Sequence, residues 1–235
     1  MSKDHKSSGF SYYLKLFLAE IPSGKPAKKD TAITGSHSDQ TKPESAAARE
    51  LTARALEIYL GRKPSPEALS SLARTPQGKP YFPDYPDFQY NVSYSGRYVV
   101  CGMICGGGDP QPVGIDIQEI PSNPERAMKI ADHFFSEPEK ESLRALLRKG
   151  DSSSALLLFC RCWTARESYM KLTGRGLAEP FGNYRPDLEH KRIILANSAR
   201  EVYLTECEAP AGYCLTACSY VPLETGCILW DRVSG

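Results

Sequence analysis

A chain of 235 residues holds one large domain or two small ones. Its 41% hydrophobic and 24% charged residues exclude a wholly disordered or collagen-like polymer. Twenty-nine Lys and Arg balance 28 Asp and Glu, so no global field draws nucleic acid or an anionic membrane, and any anion site must be local. The eight cysteines contain no C-x-x-C pair and only four histidines accompany them, which argues against a zinc site or a disulfide scaffold. Most lie among apolar neighbours, as in Leu158-Phe159-Cys160, where a free thiol behaves as a small core residue; reduced thiols point to the cytoplasm.

In chain order, Phe10, Tyr12, Leu14, Leu16 and Leu18 alternate with Ser11, Tyr13, Lys15 and Phe17, the period of a strand. No signal peptide is evident, and no segment reaches the roughly 18 consecutive apolar residues of a membrane helix. The Asn91-Val92-Ser93 sequon is therefore expected to go unglycosylated. Ser23 to Ser45 is polar, with little to bury, and is expected to be a mobile surface loop. A helix follows from Ala46 to Leu60, with Gly61 as its C-cap, and a shorter one from Ser65 to Ala73. Phe88 to Tyr94 and Arg97 to Ile104, joined at Ser95-Gly96, read as a hairpin, and Pro112 to Ile117 as a short strand.

Ser136-Glu137-Pro138-Glu139 has the form of a capping box ahead of a helix ending at Gly150. The longest helix runs from Ser154 to about Leu172 and stops at Thr173-Gly174. Short strands are predicted at Ile193 to Leu195, Val202 to Thr205, Leu215 to Tyr220 and Cys227 to Trp230. The class is α+β, with strand-helix-strand in each half and no internal repeat visible in the sequence. The halves divide at about residue 110, into 1–110 and 111–235.

Asp116 lies between Ile115 and Ile117 in a strand-like run. It either faces solvent or needs a partner, because burying a lone carboxylate is costly. Trp163, Glu167 and Lys171 fall at i, i+4 and i+8 of the long helix, on one stripe, with Trp163 and Met170 expected to be buried. Glu167 and Lys171 read equally as a helix-stabilising pair. Asp116 and Glu167 from separate elements form a set suited to Mg²⁺, which takes one or two carboxylates plus phosphate oxygens. Gly106-Gly107-Gly108 and Gly174-Arg175-Gly176 do not lie between a strand and a helix, so they read as turns, and a Rossmann or P-loop reading fails.

Five motifs follow in order: Gly78-Lys79-Pro80-Tyr81-Phe82, Asn91-Val92-Ser93-Tyr94-Ser95-Gly96, Val113-Gly114-Ile115-Asp116-Ile117, Phe134-Phe135-Ser136 and Trp163 to Lys171. In order and spacing they resemble the Sfp-like 4'-phosphopantetheinyl transferase family, over most of the chain beyond the first 45 residues or so. The resemblance implies two similar α+β halves about a pseudo-twofold axis, with coenzyme A in the cleft between them. It also implies Mg²⁺-dependent transfer of phosphopantetheine to a serine of an apo acyl or peptidyl carrier protein, releasing 3',5'-ADP. Asp116 matches the metal-binding aspartate, Glu167 the glutamate that binds metal and activates the hydroxyl, and Lys171 the phosphate-side lysine. Lys79 and Ser93 match coenzyme A contacts, and Arg49 aligns with an arginine at the nucleotide.

Tyr94 stands where the family commonly has a histidine near the coenzyme A phosphates, and Gln118 where many members have a third metal-binding acid. An amide oxygen can coordinate Mg²⁺, but one negative charge is missing; a phenol donates a hydrogen bond without a positive charge. Glu119 points to the other face of a strand. Lys25, Lys28 and Lys29 are the basic residues available in the 23–45 loop. The partners implied are carrier proteins and coenzyme A, with no nucleic acid and no membrane. Members of this double-length kind are expected to be monomers. The rivals are a non-catalytic relative that binds coenzyme A or a carrier, for which Tyr94 and Gln118 speak, and a coenzyme A hydrolase using the same metal site.

Overall fold

A computed structural model of the chain describes residues 11–21, 42–176, 180–223 and the backbone of 228–233. The N-terminal strand predicted from Phe10 is β1, Tyr12–Glu20. The 23–45 loop lies mostly outside the described residues, and its last residues already belong to helix α1, Pro43–Leu60. Pro43 opens α1 because a missing N–H costs nothing at a first helical position. Gly61 closes it at φ 65°, the left-handed conformation expected there.

The short helix α2, Pro66–Ser70, ends before the sequence suggests. A small hairpin follows, of β2 (Ala73–Arg74) and β3 (Pro80–Tyr81). The larger hairpin consists of β4, Tyr90–Ser95, and β5, Tyr98–Gly106, and then comes β6, Val113–Glu119. A helix missing from the sequence reading, α3 at Pro124–Phe134, is capped by the Asn123 side chain, which accepts from the Arg126 N–H at 3.0 Å. Helix α4, Glu137–Arg148, starts at the expected capping box: the Ser136 N–H donates to Glu139 Oε2 at 2.9 Å. The long helix α5 runs Ser152–Thr173 and ends on Gly174, also left-handed.

Five strands follow, four that complete the second sheet and one at the C-terminus that joins the first. They are β7 (Tyr184–Asp187), which the sequence did not reveal, β8 (Arg192–Leu195), β9 (Tyr203–Cys207) and β10 (Tyr213–Ser219), with β11 (Ile228–Val233) last. One sheet has the order β11-β1-β5-β4 and the other β6-β10-β9-β8-β7, so the fold is α+β as expected. The last strand returns to pair in parallel with the first, Leu16 opposite Trp230.

The alternation along each strand stacks these elements in four layers. Phe17, Ala19, Val99 and Cys101 of the first sheet bury one face against Leu51, Ala55 and Leu56 of α1. Leu14, Leu16, Leu18 and Val100 turn the other way and meet Val113, Ile115, Ile117, Leu215 and Ala217 of the second sheet. The far face of the second sheet packs against α5, whose Ala165, Tyr169 and Leu172 meet Leu204 and Cys218. Helices α3 and α4 cover the outer side of α5 around Phe135, Leu143 and Phe159.

Candidate active site

The second sheet ends at β6, and the edge of β6 that β10 leaves open is closed by side chains of β4. The N–H groups of Ile115, Ile117 and Glu119 donate to Asn91 Oδ1 at 2.9 Å, Ser93 Oγ at 3.2 Å and Ser95 Oγ at 3.0 Å. Strand pleating puts residues 91, 93 and 95 on one side of β4, so three alternate polar residues satisfy three alternate backbone donors and join the two sheets. This is the physical content of the Asn-x-Ser-x-Ser pattern. Asn91 and Ser95 stand in the motif read from the sequence but without this structural role, although their spacing of two is the signal that would have found it.

Asp116 sits in the middle of this junction and has no solvent exposure, which removes the outward-facing alternative. Its Oδ1 accepts the Ser93 hydroxyl at 2.9 Å and the Lys171 ammonium at 2.7 Å, and Lys171 Nζ also lies 2.7 Å from Ser93 Oγ. The buried carboxylate is thereby compensated by a cation and a hydroxyl, as burial demands.

Gly114 explains why α5 passes so close. It lies two residues before Asp116 on the same face of β6, and a Cβ there would meet the Ser168 carbonyl oxygen at 1.9 Å and the Leu172 nitrogen at 2.3 Å. Farther along the same crossing, the hydroxyls of Thr164 and Thr216 meet at 2.9 Å and Ser168 meets Cys218 at 3.1 Å, one α5 turn per pair of β10 residues.

Glu167 is half-buried one helical turn before Lys171, on the stripe read from the sequence. Trp163, expected to be buried, is half-exposed: it packs edge-on against Phe134, ring centres 5.6 Å apart, at the rim of α3 and α5 rather than inside the core. Gln118 shares the α5-facing side of β6 with Asp116, and its carbonyl accepts the Cys160 thiol at 3.5 Å.

Lys79 reaches the C-terminal end of α5 from the β2–β3 hairpin, its side chain 3.6 Å from where a Cβ on Gly174 would stand. Burial pushes its ammonium below the ordinary lysine range, and no carboxylate among the described residues pairs with it. Tyr94 is 40% exposed and, being adjacent to Ser93 in a strand, points to the other face of β4; Arg49 is exposed on α1. Thus Ser93, Asp116 and Lys171 are brought together, Glu167, Gln118 and Lys79 flank them, and Tyr94 turns to the other face of β4.

Arg166, within the Trp163-to-Lys171 motif, was also not singled out. It is 1% exposed, donates to both Glu139 oxygens at 2.7 and 2.5 Å, and stacks over Phe135, 4.4 Å from the ring centre. It ties the start of α4 to α5. Among the described residues no cluster of three or more His, Cys, Asp or Glu is present.

Residues 112–218, which carry Asp116, Glu167 and Lys171, match the sequence model of the 4'-phosphopantetheinyl transferase superfamily. The chain is 33% identical over 148 residues to the 4'-phosphopantetheinyl transferase Sfp of Bacillus subtilis, covering 62% of this chain and 61% of that protein. It is 34% identical over 144 residues to the 4'-phosphopantetheinyl transferase gsp of Aneurinibacillus migulanus, covering 60% and 55%. It is also 34% identical over 115 residues to the L-aminoadipate-semialdehyde dehydrogenase-phosphopantetheinyl transferase of Xenopus laevis, covering 45% and 36%. The match therefore spans between 36% and 61% of these relatives' own length. The residues that carry the β6 and α5 motifs thus match the 4'-phosphopantetheinyl transferase superfamily, and over about three fifths of its length the chain is similar to Sfp-like members of it.

Proposed function

We propose that the protein transfers the 4'-phosphopantetheine group of coenzyme A to a serine hydroxyl of an apo acyl or peptidyl carrier protein, releasing 3',5'-ADP. The observation that carries this reading is the convergence of Ser93, Asp116 and Lys171 from three elements at a water-shielded junction, with Glu167 one helical turn from Lys171. Halves 1–110 and 111–235, related by a pseudo-twofold axis, form the two sides of the coenzyme A cleft; the change of sheet between β5 and β6 supports that division. The free thiols among the described residues support a reduced, cytoplasmic setting, and one chain supplying both sides of the cleft supports a monomer. No helix among the described residues is long and apolar enough to cross a membrane.

The donor set fits Mg²⁺. Asp116 and Glu167 offer hard carboxylate oxygens and Gln118 an amide oxygen, and two carboxylates suffice for a cation that fills its other positions with phosphate oxygens and water. When bound there, the ion neutralises charge on the pyrophosphate and polarises its phosphorus. The Glu167 carboxylate takes the proton of the carrier's serine hydroxyl, general-base help typically worth about 10² to 10⁴ in rate. The serine oxygen bonds to the β-phosphorus while the bridging oxygen leaves with 3',5'-ADP. Lys171 holds an ammonium where charge develops on the phosphoryl oxygens, and desolvated Lys79 supplies a second cation for phosphate.

The test is the intact mass of several apo carrier proteins after incubation with this protein, coenzyme A and Mg²⁺, with and without EDTA. Gain of one phosphopantetheine, lost with EDTA, is the expected result. No gain on any carrier with coenzyme A still bound would leave the non-catalytic relative, and ADP release without a carrier would show the hydrolase.

A further inference from the structure

We propose that Lys171 couples the divalent cation to coenzyme A: its ammonium competes with the cation for Asp116 and is drawn off that carboxylate by phosphate, so that each ligand raises the other's affinity. This rests on the reading of Asp116 and Glu167 as the metal-binding carboxylates. Lys171 Nζ lies 2.7 Å from Asp116 Oδ1, direct hydrogen-bond distance with no atom between them. An ammonium is a compact point charge, and a divalent cation on the same oxygen would stand against it as a like charge. With Gln118 neutral, the negative charge of the donor set comes from Asp116 and Glu167, and the ammonium already offsets that of Asp116.

The two partners differ in their freedom to yield. The Asp116 side chain has no solvent exposure and its Oδ1 also accepts the Ser93 hydroxyl at 2.9 Å, so the carboxylate stays where β6 puts it. The Lys171 side chain is 25% exposed and ends a flexible four-carbon stem in the last turn of α5. Exchange at this carboxylate therefore proceeds by movement of the lysine. Leaving Asp116 costs the ammonium a charge-assisted hydrogen bond, which a phosphate oxygen replaces in kind. A cation arriving without phosphate must overcome that loss, whereas coenzyme A supplies the ammonium with its new acceptor. Coupling of this sort is reciprocal: the factor by which coenzyme A tightens the cation is the factor by which the cation tightens coenzyme A. Direct contact between cation and pyrophosphate also couples the two, but that share survives removal of the lysine.

The experiment titrates Mg²⁺ calorimetrically into the full chain without a carrier, with and without coenzyme A, for wild type, Lys171→Met and Asp116→Asn. In wild type it also follows the nitrogen NMR signal of the Lys171 ammonium, assigned by its disappearance in Lys171→Arg. Without coenzyme A, Lys171→Met should bind Mg²⁺ about tenfold more tightly than wild type, and the further tightening by coenzyme A should be smaller in Lys171→Met by about the same factor. The wild-type ammonium signal should move as Mg²⁺ saturates. Equal Mg²⁺ affinity of wild type and Lys171→Met would overturn the proposal. So would tighter binding by Lys171→Met with the wild-type signal unmoved, since the lysine would then act only through its field while the cation enters beside it. If Lys171→Met does not fold, the wild-type signal decides alone. Mg²⁺ binding undiminished in Asp116→Asn would show that the reading of the metal site has failed, and the proposal with it. Binding lost in Asp116→Asn while the wild-type signal stays put would refute the coupling and leave that reading standing.

Discussion

Between Gly114 of β6 and Ser168 of α5 there is room for a hydrogen atom and nothing larger: a Cβ on residue 114 would stand 1.9 Å from the Ser168 carbonyl oxygen. The helix that carries Glu167 and Lys171 rests directly on the strand that carries Asp116. Since the obstruction is backbone, it cannot rotate away. Gly114→Ala should therefore cost about 3 kcal/mol or more, a fall in Tm of roughly 10 °C. Gly102→Ala should cost less, because the close contacts of its Cβ are the side-chain tips of Ile115 and Leu16, the Lys15 carbonyl being at an ordinary 3.4 Å. Thermal melts of the two variants compare them, and equal losses would count against the close crossing.

Arg166 and Glu139 bind each other across α5 and α4 with the guanidinium almost wholly buried. Burial pushes the Glu139 carboxyl up, but Arg166 and Ser136 outweigh it and hold the group below the free-glutamate value of 4.5. A depressed folded value means that the stabilisation is complete above about 4.5 and is lost as pH falls through the folded value. Wild type should therefore lose Tm steeply below pH 4.5. Glu139→Gln should be less stable by about 3–5 kcal/mol at pH 7, since it strands a buried guanidinium, and its Tm should fall less between pH 5 and pH 3.

The thiols of Cys160 and Cys214 are neighbours between α5 and β10. That contact holds the Cys214 thiol down and, with burial, pushes Cys160 up. Burial alone drives Cys101 and Cys218 to about 12, and burial with neighbouring carboxylates drives Cys162 and Cys207 there. Because the thiolate is the reactive form, iodoacetamide at pH 8 should modify Cys214 before these four, as peptide mass mapping would read out. Modification of Cys101 or Cys218 first would contradict the assignment.

Asp116→Asn and Glu167→Gln should each lower the transfer rate by about 10² or more while leaving the fold intact. Lys79→Met should weaken coenzyme A binding about tenfold, because a desolvated ammonium gains most from a phosphate beside it. A carrier mass assay and calorimetry measure the two effects. Wild-type transfer by Asp116→Asn would remove Asp116 from the site.

The long helix, the capping box at Ser136, the C-caps at Gly61 and Gly174, and the β4–β5 hairpin were legible because each depends on neighbours in sequence. Helix α3 was missed although it was legible: Asn123-Pro124 is a start signal and Ala127, Ile130, Ala131 and Phe134 recur at helical spacing, but its fully buried positions, Ala127 and Ala131, are small. Strand β7 escaped because it is only four residues long and contains Pro186, which argues against a strand even though burial alternates along it, and pairing with β8 makes it one. Trp163 was misplaced because helical spacing says which stripe a residue occupies and not where the covering layer stops.

By itself the sequence determined the α+β class, the order of the motifs and the residue types able to handle phosphate and a hard cation, all matters of local periodicity and chemistry. Tertiary structure alone decided that Asp116 is buried, that Lys171 and Ser93 meet at its Oδ1, and that Tyr94 turns away from them. Ser93, Asp116 and Lys171 are separated by 23 and 55 positions along the chain. Their meeting depends on two sheets joined by side-chain rungs and on a glycine that lets a helix touch a strand, neither of which is a local property of the sequence.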